Sequence, residues 1–277
     1  EGYSIEEYKK NAETPKSERI PIILENTKAP GKNIKVDTEE NCLRISNPGC
    51  TLEDPAKINA GVNTRHGFTY GKITVKIKFS ELLTEDLVWN GLTDAFWLIT
   101  ESMQNWNRRR TCNEEGYMPF YGAGKDEQRV PQISYTEVDF ELVKAAETWP
   151  NYYPDGAKRE EPASNVDKIM VTCTNWDMAC PQPSNFGVGV HYIDYQNRQF
   201  IAQRWDEYYN AVTQKVPEKD DELFKTDYYY FQIEWKPKEI LWRIGPEKDQ
   251  LRLVGYVNDT YTSIPNNQML IIFTQEY

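Results

Sequence analysis

From Asn33 to Tyr277 the chain is cut into short runs of alternating polar and apolar residues, with no long helical period anywhere. The clearest run is YGKITVKIKFS, starting at Tyr70. Ile73, Val75, Ile77 and Phe79 line one face of it, and Lys72, Thr74, Lys76 and Lys78 the other. NIKVD, CLRIS, YTEVDFELV, KIMVTCTNW, GVGVHYI, YYYFQIEW, EILWRIG, LRLVGYVN and QMLIIFTQEY read as further strands. DAFWLIT is apolar nearly throughout, as a strand buried on both faces would be. Roughly ten or more short strands joined by turns predict an all-β, antiparallel sandwich, because parallel sheets need crossover helices.

A chain of 277 residues can close this as one domain. Residues 33–277 are expected to form it. Residues 1–32 are polar and read as a lead-in segment, with a short helix over 4–12 that ends at Thr14-Pro15. Residues 101–132, 146–167 and 206–227 read as long insertions, which in compact domains are commonly functional.

The net charge is −11, which argues against nucleic acid or an anionic membrane as a partner and favours a neutral one. No apolar run is long enough to span a bilayer. The first residue is Glu1 rather than Met, which fits a removed export signal. The expected location is therefore exported: secreted, periplasmic or cell-surface. Cys42, Cys50, Cys112, Cys173 and Cys180 match no zinc spacing. Bridges Cys42–Cys50 and Cys173–Cys180 are one reading, and buried free thiols are the other. His66 and His191 are too few for a histidine-rich metal site, and both read as packed strand residues.

One strand needs a special explanation. In YTEVDFELV, Glu137, Asp139 and Glu141 alternate with Val138, Phe140 and Leu142. The carboxylates therefore share the face opposite the core. Like charges on neighbouring positions repel, and Asp is a poor strand former. Such a face is either solvated or used. The use that suits it is glycoside hydrolysis, with one carboxylate attacking the anomeric carbon and the other shuttling a proton. Retaining chemistry needs carboxyl groups about 5–5.5 Å apart. Positions four apart on a strand are about 13 Å apart along the backbone, a gap that two Glu side chains leaning inward can close. An Asp between them can orient one Glu and split the acidities of the pair.

EVDFE resembles the E-x-D-x-E active-site strand of glycoside hydrolase family 16. INAGVNTRHGFTYGKITVKIKF is similar to that family's paired strands before the active site. DAFWLI resembles its A-F-W-L strand, and YYYFQIEWKPKEILWRIG its F-x-x-x-x-W-x-P-x-x-I-x-(W/F) hairpin. The resemblance runs in order over residues 33–277. It implies a concanavalin A-like jelly roll with a concave substrate cleft, and it makes Glu137 the nucleophile, Asp139 the assisting carboxylate and Glu141 the acid/base. It further implies a retaining endo-β-glycan hydrolase. A β-1,3 or mixed β-1,3/1,4-glucan is the expected substrate, with an algal galactan of agar, porphyran or carrageenan type as the alternative. A carbohydrate-binding protein on the same sandwich is the reading from another class.

Polysaccharide is then the expected partner of a monomer, and the mechanism needs no cofactor. Some relatives carry a structural calcium on the convex face, but no EF-hand-type loop is present and no metal ligands are assigned. Eight Trp and eighteen Tyr are many for this length; core packing is expected to take more than half, and sugar C–H faces also pack on aromatic rings. Tyr135 lies two residues before Glu137 on the same face. Asn175-Trp176 falls where relatives place a polar–aromatic pair facing the cleft. Trp97 reads equally as core or platform, while Trp89, Trp106, Trp149, Trp176 and Trp205 lie in or beside loops as candidate platforms. Arg108-Arg109-Arg110 reads as a solvated charge run or as a contact for an acidic sugar.

Overall fold

The computed structural model describes residues 33–47, 60–64, 67–80, 92–100, 136–144, 168–177, 187–204, 211–219, 228–266 and 268–276. The described strands are β1 (Ile34–Asp37), β2 (Cys42–Ile45), β3 (Ala60–Asn63), β4 (Gly71–Ile77), β5 (Thr93–Thr100), β6 (Thr136–Lys144) and β7 (Lys168–Asp177). They continue with β8 (Gly189–Tyr195), β9 (Arg198–Arg204), β10 (Ala211–Lys219), β11 (Tyr229–Trp235), β12 (Glu239–Gly245), β13 (Arg252–Asn258) and β14 (Met269–Glu276). The predicted helix over 4–12 lies outside the described residues.

One sheet has eight strands in the order β3-β14-β5-β6-β7-β10-β9-β8, and a second has four, β13-β12-β11-β4. A separate hairpin joins β1 to β2, and every strand pairing is antiparallel. The chain crosses between the two large sheets at β3–β4, β4–β5, β10–β11 and β13–β14, so strands close in sequence are split between layers. The result is the antiparallel sandwich that the alternation predicts, in the jelly-roll form that the resemblance implies.

The core lies between the two large sheets. Phe96, Leu98, Val138, Phe140, Leu142, Val171 and Cys173 come from the eight-stranded sheet, and Phe231, Ile233, Trp235, Ile240 and Trp242 from the four-stranded one. The Phe140 ring meets Phe231 edge-on across the layers, with centroids 5.6 Å apart. It stacks beside Phe96 at 6.3 Å within its own sheet. Such aromatic pairs add about 1 kcal/mol beyond area burial. In β4 the predicted alternation is realised, with Ile73, Val75, Ile77 and Phe79 packed on the core.

The entry to β4 is a tight backbone turn. Tyr70 has φ 61° and Gly71 has φ 141°. Tyr70 is held there edge-on to Trp235 at 5.1 Å. A Cβ on Gly71 would meet nothing within 4 Å, so the glycine is needed for its conformation and not for space. Gly71→Ala is expected to cost more than about 1 kcal/mol, read as a lower urea midpoint at unchanged m-value.

Two expectations are corrected here. Residues 206–227 are not one loop, because β10 lies inside them and pairs along its length with β7. Its signal is blurred by Gln214, Lys215 and Pro217. Pro217 falls where β10 is paired with β7 but is past the two positions, Val212 and Thr213, that pair with β9. β9 too follows GVGVHYI as a strand of its own, turned by Gln196 and Asn197, both with positive φ as a two-residue type I′ hairpin needs. The disulfide reading is also corrected. Cys42 and Cys173 are free thiols, and Cys173 is on the core face, where burial pushes its thiol well above the usual range. Cys50, Cys112 and Cys180 lie outside the described residues.

Asp94 is an acid at the end of the core. It is 2% exposed, accepts a hydrogen bond from Gln275 Nε2 at 2.9 Å, and has its Oδ2 buried without a partner. Burial raises its pKa from 3.8 to about 7, against hydrogen bonds from Gln275 and the Ser80 backbone. The folded state therefore holds a proton between pH 3.8 and about 7 that the unfolded state releases. Stability contributed by this group is full below that window and falls as pH rises through it, by on the order of a few kcal/mol. Asp94→Asn should flatten this part of the profile in urea unfolding followed from pH 4 to 8. An unchanged slope in the variant would refute the assignment.

Candidate active site

β6 sits inside the eight-stranded sheet between β5 and β7. Val138, Phe140 and Leu142 are fully buried on its core face, which turns Glu137, Asp139 and Glu141 to the other side. The register then names their neighbours. Glu137 is opposite Ile99 and Trp176, Asp139 is opposite Trp97 and Thr174, and Glu141 is opposite Ala95 and Thr172.

This face is not a solvated outer surface. Asp139 is 4% exposed, Thr172 and Thr174 are buried beside it, and Glu137 and Glu141 are only partly exposed. Burial raises the Asp139 pKa well above the usual carboxylate range, and the charges of Glu137, Glu141 and Glu276 raise it further. A hydrogen bond from the Trp176 side chain opposes the shift without reversing it. The shift favours the protonated form of the Asp139 carboxyl, whose Oδ1 is buried and unpartnered. An alternating strand can carry three acids on one face when the middle one keeps its proton. The repulsion of three like charges is then reduced to that of the two flanking glutamates.

Trp97 resolves in favour of the carboxylate face. Asp94, Phe96 and Leu98 turn to the core, whereas Trp97 stands opposite Asp139, half-buried, with its indole N–H donating to Thr274 Oγ1 at 3.0 Å. Trp176 lies on the same face opposite Glu137. Asn175 does not, and that expectation is corrected. Its side chain is fully buried on the core face, donating to Thr262 Oγ1 at 3.2 Å and to the Ser263 carbonyl at 2.9 Å. The reason is the pleat: adjacent strand residues point to opposite faces, so Asn175 and Trp176 cannot line the same surface. Asn175 instead ties β7 to the segment leading into β14.

Tyr135, Trp89, Trp106, Trp149, Trp205, His66 and Arg108-Arg109-Arg110 lie outside the described residues. His191 is on β8, on the side of Ile193 and Tyr195, with Nε2 2.6 Å from the Gly187 carbonyl. Sequence reasoning missed Thr172 and Thr174, although their alternation with Cys173 in VTCTNW carried the signal. It also missed Glu276, whose approach to Asp139 comes from the neighbouring order β14-β5-β6 and has no local signature. Among the described residues no group of three or more His, Cys, Asp or Glu is arranged to hold a metal ion. No described helix is long and apolar enough to cross a membrane.

Solved structures similar to this chain include glycoside hydrolases. A glycoside hydrolase family 16 endo-glucanase from Bacteroides ovatus is 13% identical, with 92% of this chain and 80% of that one covered and a TM-score of 0.46. The kappa-carrageenase from Pseudoalteromonas carrageenovora is 12% identical over 92% of this chain, at a TM-score of 0.38. This chain spans 63% of the carrageenase's length. A β-glucanase from Bacillus licheniformis is 12% identical, with 88% of this chain and 70% of that one covered and a TM-score of 0.37. No protein-family profile matches the chain, and no curated protein sequence does.

Chemically, the face offers two partly exposed Glu side chains, a buried Asp between them and two indoles alongside. A pair of carboxyl groups whose surroundings differ can divide into a nucleophile and an acid/base.

Proposed function

We propose that the protein is a retaining endo-β-glycan hydrolase working by double displacement. Glu137 attacks the anomeric carbon while Glu141 protonates the departing glycosidic oxygen. Glu141 then removes a proton from water, which releases the sugar from Glu137. Asp139, holding its proton, donates a hydrogen bond to a flanking carboxylate and fixes its orientation. Trp176 in turn positions Asp139 through its indole N–H. The carrying observation is Asp139, 4% exposed and with its pKa raised by burial, between two partly exposed Glu residues on one strand face.

The favoured substrate is a neutral β-glucan with 1,3 or mixed 1,3/1,4 linkages. Glu137, Glu141 and Glu276 on one side of the sheet, with a net charge of −11, oppose a sulfated chain. An algal galactan is the alternative substrate, and a location outside the cytoplasm fits either polymer. The double displacement calls on no cofactor.

The test is reducing-end release from laminarin, barley mixed-linkage glucan, xyloglucan, agarose, porphyran and carrageenan. Proton NMR of the first products reads their anomeric configuration. Release of β-anomers from one glucan supports the reading. Initial release of α-anomers would replace retention with inversion. Binding without cleavage of any polymer would make the protein a carbohydrate-binding module, and longer products than substrate would mark transglycosylation.

A further inference from the structure

Beyond the carboxylate site, the same face of the eight-stranded sheet carries an exposed strip along its last strand and the residue just before it. Val188, Val190 and Tyr192 are 57%, 38% and 48% exposed. Single exposed apolar side chains are ordinary, but here every second residue of one segment is involved. Strand register places the strip on the carboxylate side. Asp139 is opposite Thr174, Thr174 opposite Thr213, Thr213 opposite Gln203, and Gln203 opposite Val190. One continuous row therefore runs from the candidate catalytic strand to β8. The four strand spacings from β6 to β8 amount to about 19 Å.

Beside Tyr192 on that face stand Asp194 and, across the hairpin, its register partner Gln199. Both are exposed, and Gln199 Nε2 donates to Asp194 Oδ1 at 3.2 Å. An exposed ring next to a carboxylate–amide pair offers what a sugar needs. The pyranose C–H face packs on the ring while hydroxyls reach the polar pair. We propose that Tyr192, with Asp194 and Gln199, forms a distal subsite for a sugar unit of the same glycan chain that crosses β6. This rests on the hydrolase reading for its choice of ligand, and continuity of the row is what favours a glycan over a second copy of the chain.

Titration calorimetry with laminari-oligosaccharides of increasing length tests it, in the Glu137→Gln background so that the ligand is not cut. Dissociation constants should drop once the oligosaccharide can span about 19 Å. Tyr192→Ala should weaken the long ligands roughly tenfold and the disaccharide far less, while Tyr192→Phe keeps most of the affinity. Equal weakening at every length, or none, overturns the subsite. So does a change from dimer to monomer in sedimentation of Tyr192→Ala, which would make the strip a contact between copies. If the otherwise unmutated protein cleaves a glucan and Tyr192 has no effect, the hydrolase reading stands and the subsite falls. If it cleaves nothing but binds long chains through Tyr192, the subsite stands and the hydrolase reading falls. Neither cleavage nor binding of the glucans removes both.

Discussion

Glu137→Gln is expected to lower glucan cleavage by about 10⁴-fold or more, equivalent to roughly 5.5 kcal/mol of transition-state stabilisation, while leaving the fold intact. The substitution keeps the size of a partly exposed side chain and removes only its charge, so the far-ultraviolet spectrum and urea midpoint should change little. The two glutamates can then be told apart with an activated aryl glycoside and azide. Without the Glu137 carboxylate, in Glu137→Gly, azide attacks in its place and yields the α-glycosyl azide. In Glu141→Gly the glycosyl-enzyme still forms, and azide captures it as the β-glycosyl azide. Reversed products would exchange the two roles. Equal activity in Glu137→Gln and the unmutated protein would end the catalytic reading of this strand.

Phe140→Ala is expected to cost about 3–5 kcal/mol, read from urea unfolding, and to be the most damaging single truncation near the site. Phe140 is fully buried directly between Asp139 and Glu141. Its ring touches Phe231 of the facing sheet and stacks on Phe96 of β5. Removing it leaves a cavity that rings fixed on two layers cannot collapse to fill. Any activity remaining in the folded fraction should also fall, because the pleat that aims Asp139 and Glu141 outward is set by what Phe140 packs against. Phe140→Leu should recover most of the stability, and failure to do so would point to the ring contacts rather than the volume as what matters.

Much of this architecture was legible one strand at a time. YGKITVKIKFS and YTEVDFELV declare their faces through strict alternation, and the structure keeps both. β10 was illegible because Pro217 and its polar neighbours imitate a loop, and pairing with β7 outweighs those local preferences. Asn175 was misread despite a clear signal. Its adjacency to Trp176 suggested a shared surface, and the alternation of the strand forbids one. Trp97 was ambiguous because its strand is apolar on both faces. Only its register against Asp139 and its bond to Thr274 decide the matter.

What the sequence by itself determined is local: which residues form strands, and that Glu137, Asp139 and Glu141 share a face. Both follow from the two-residue repeat of an extended backbone, which needs no partner. What only the tertiary structure decided is the state of those carboxylates. The Asp139 pKa is raised because the strands beside it, carrying Trp97 and Thr174, shut out water and Glu276 brings a like charge from two strands away. Those neighbours are separated from it by tens of residues of chain. Desolvation and charge repulsion act through space, and no period along the sequence encodes them.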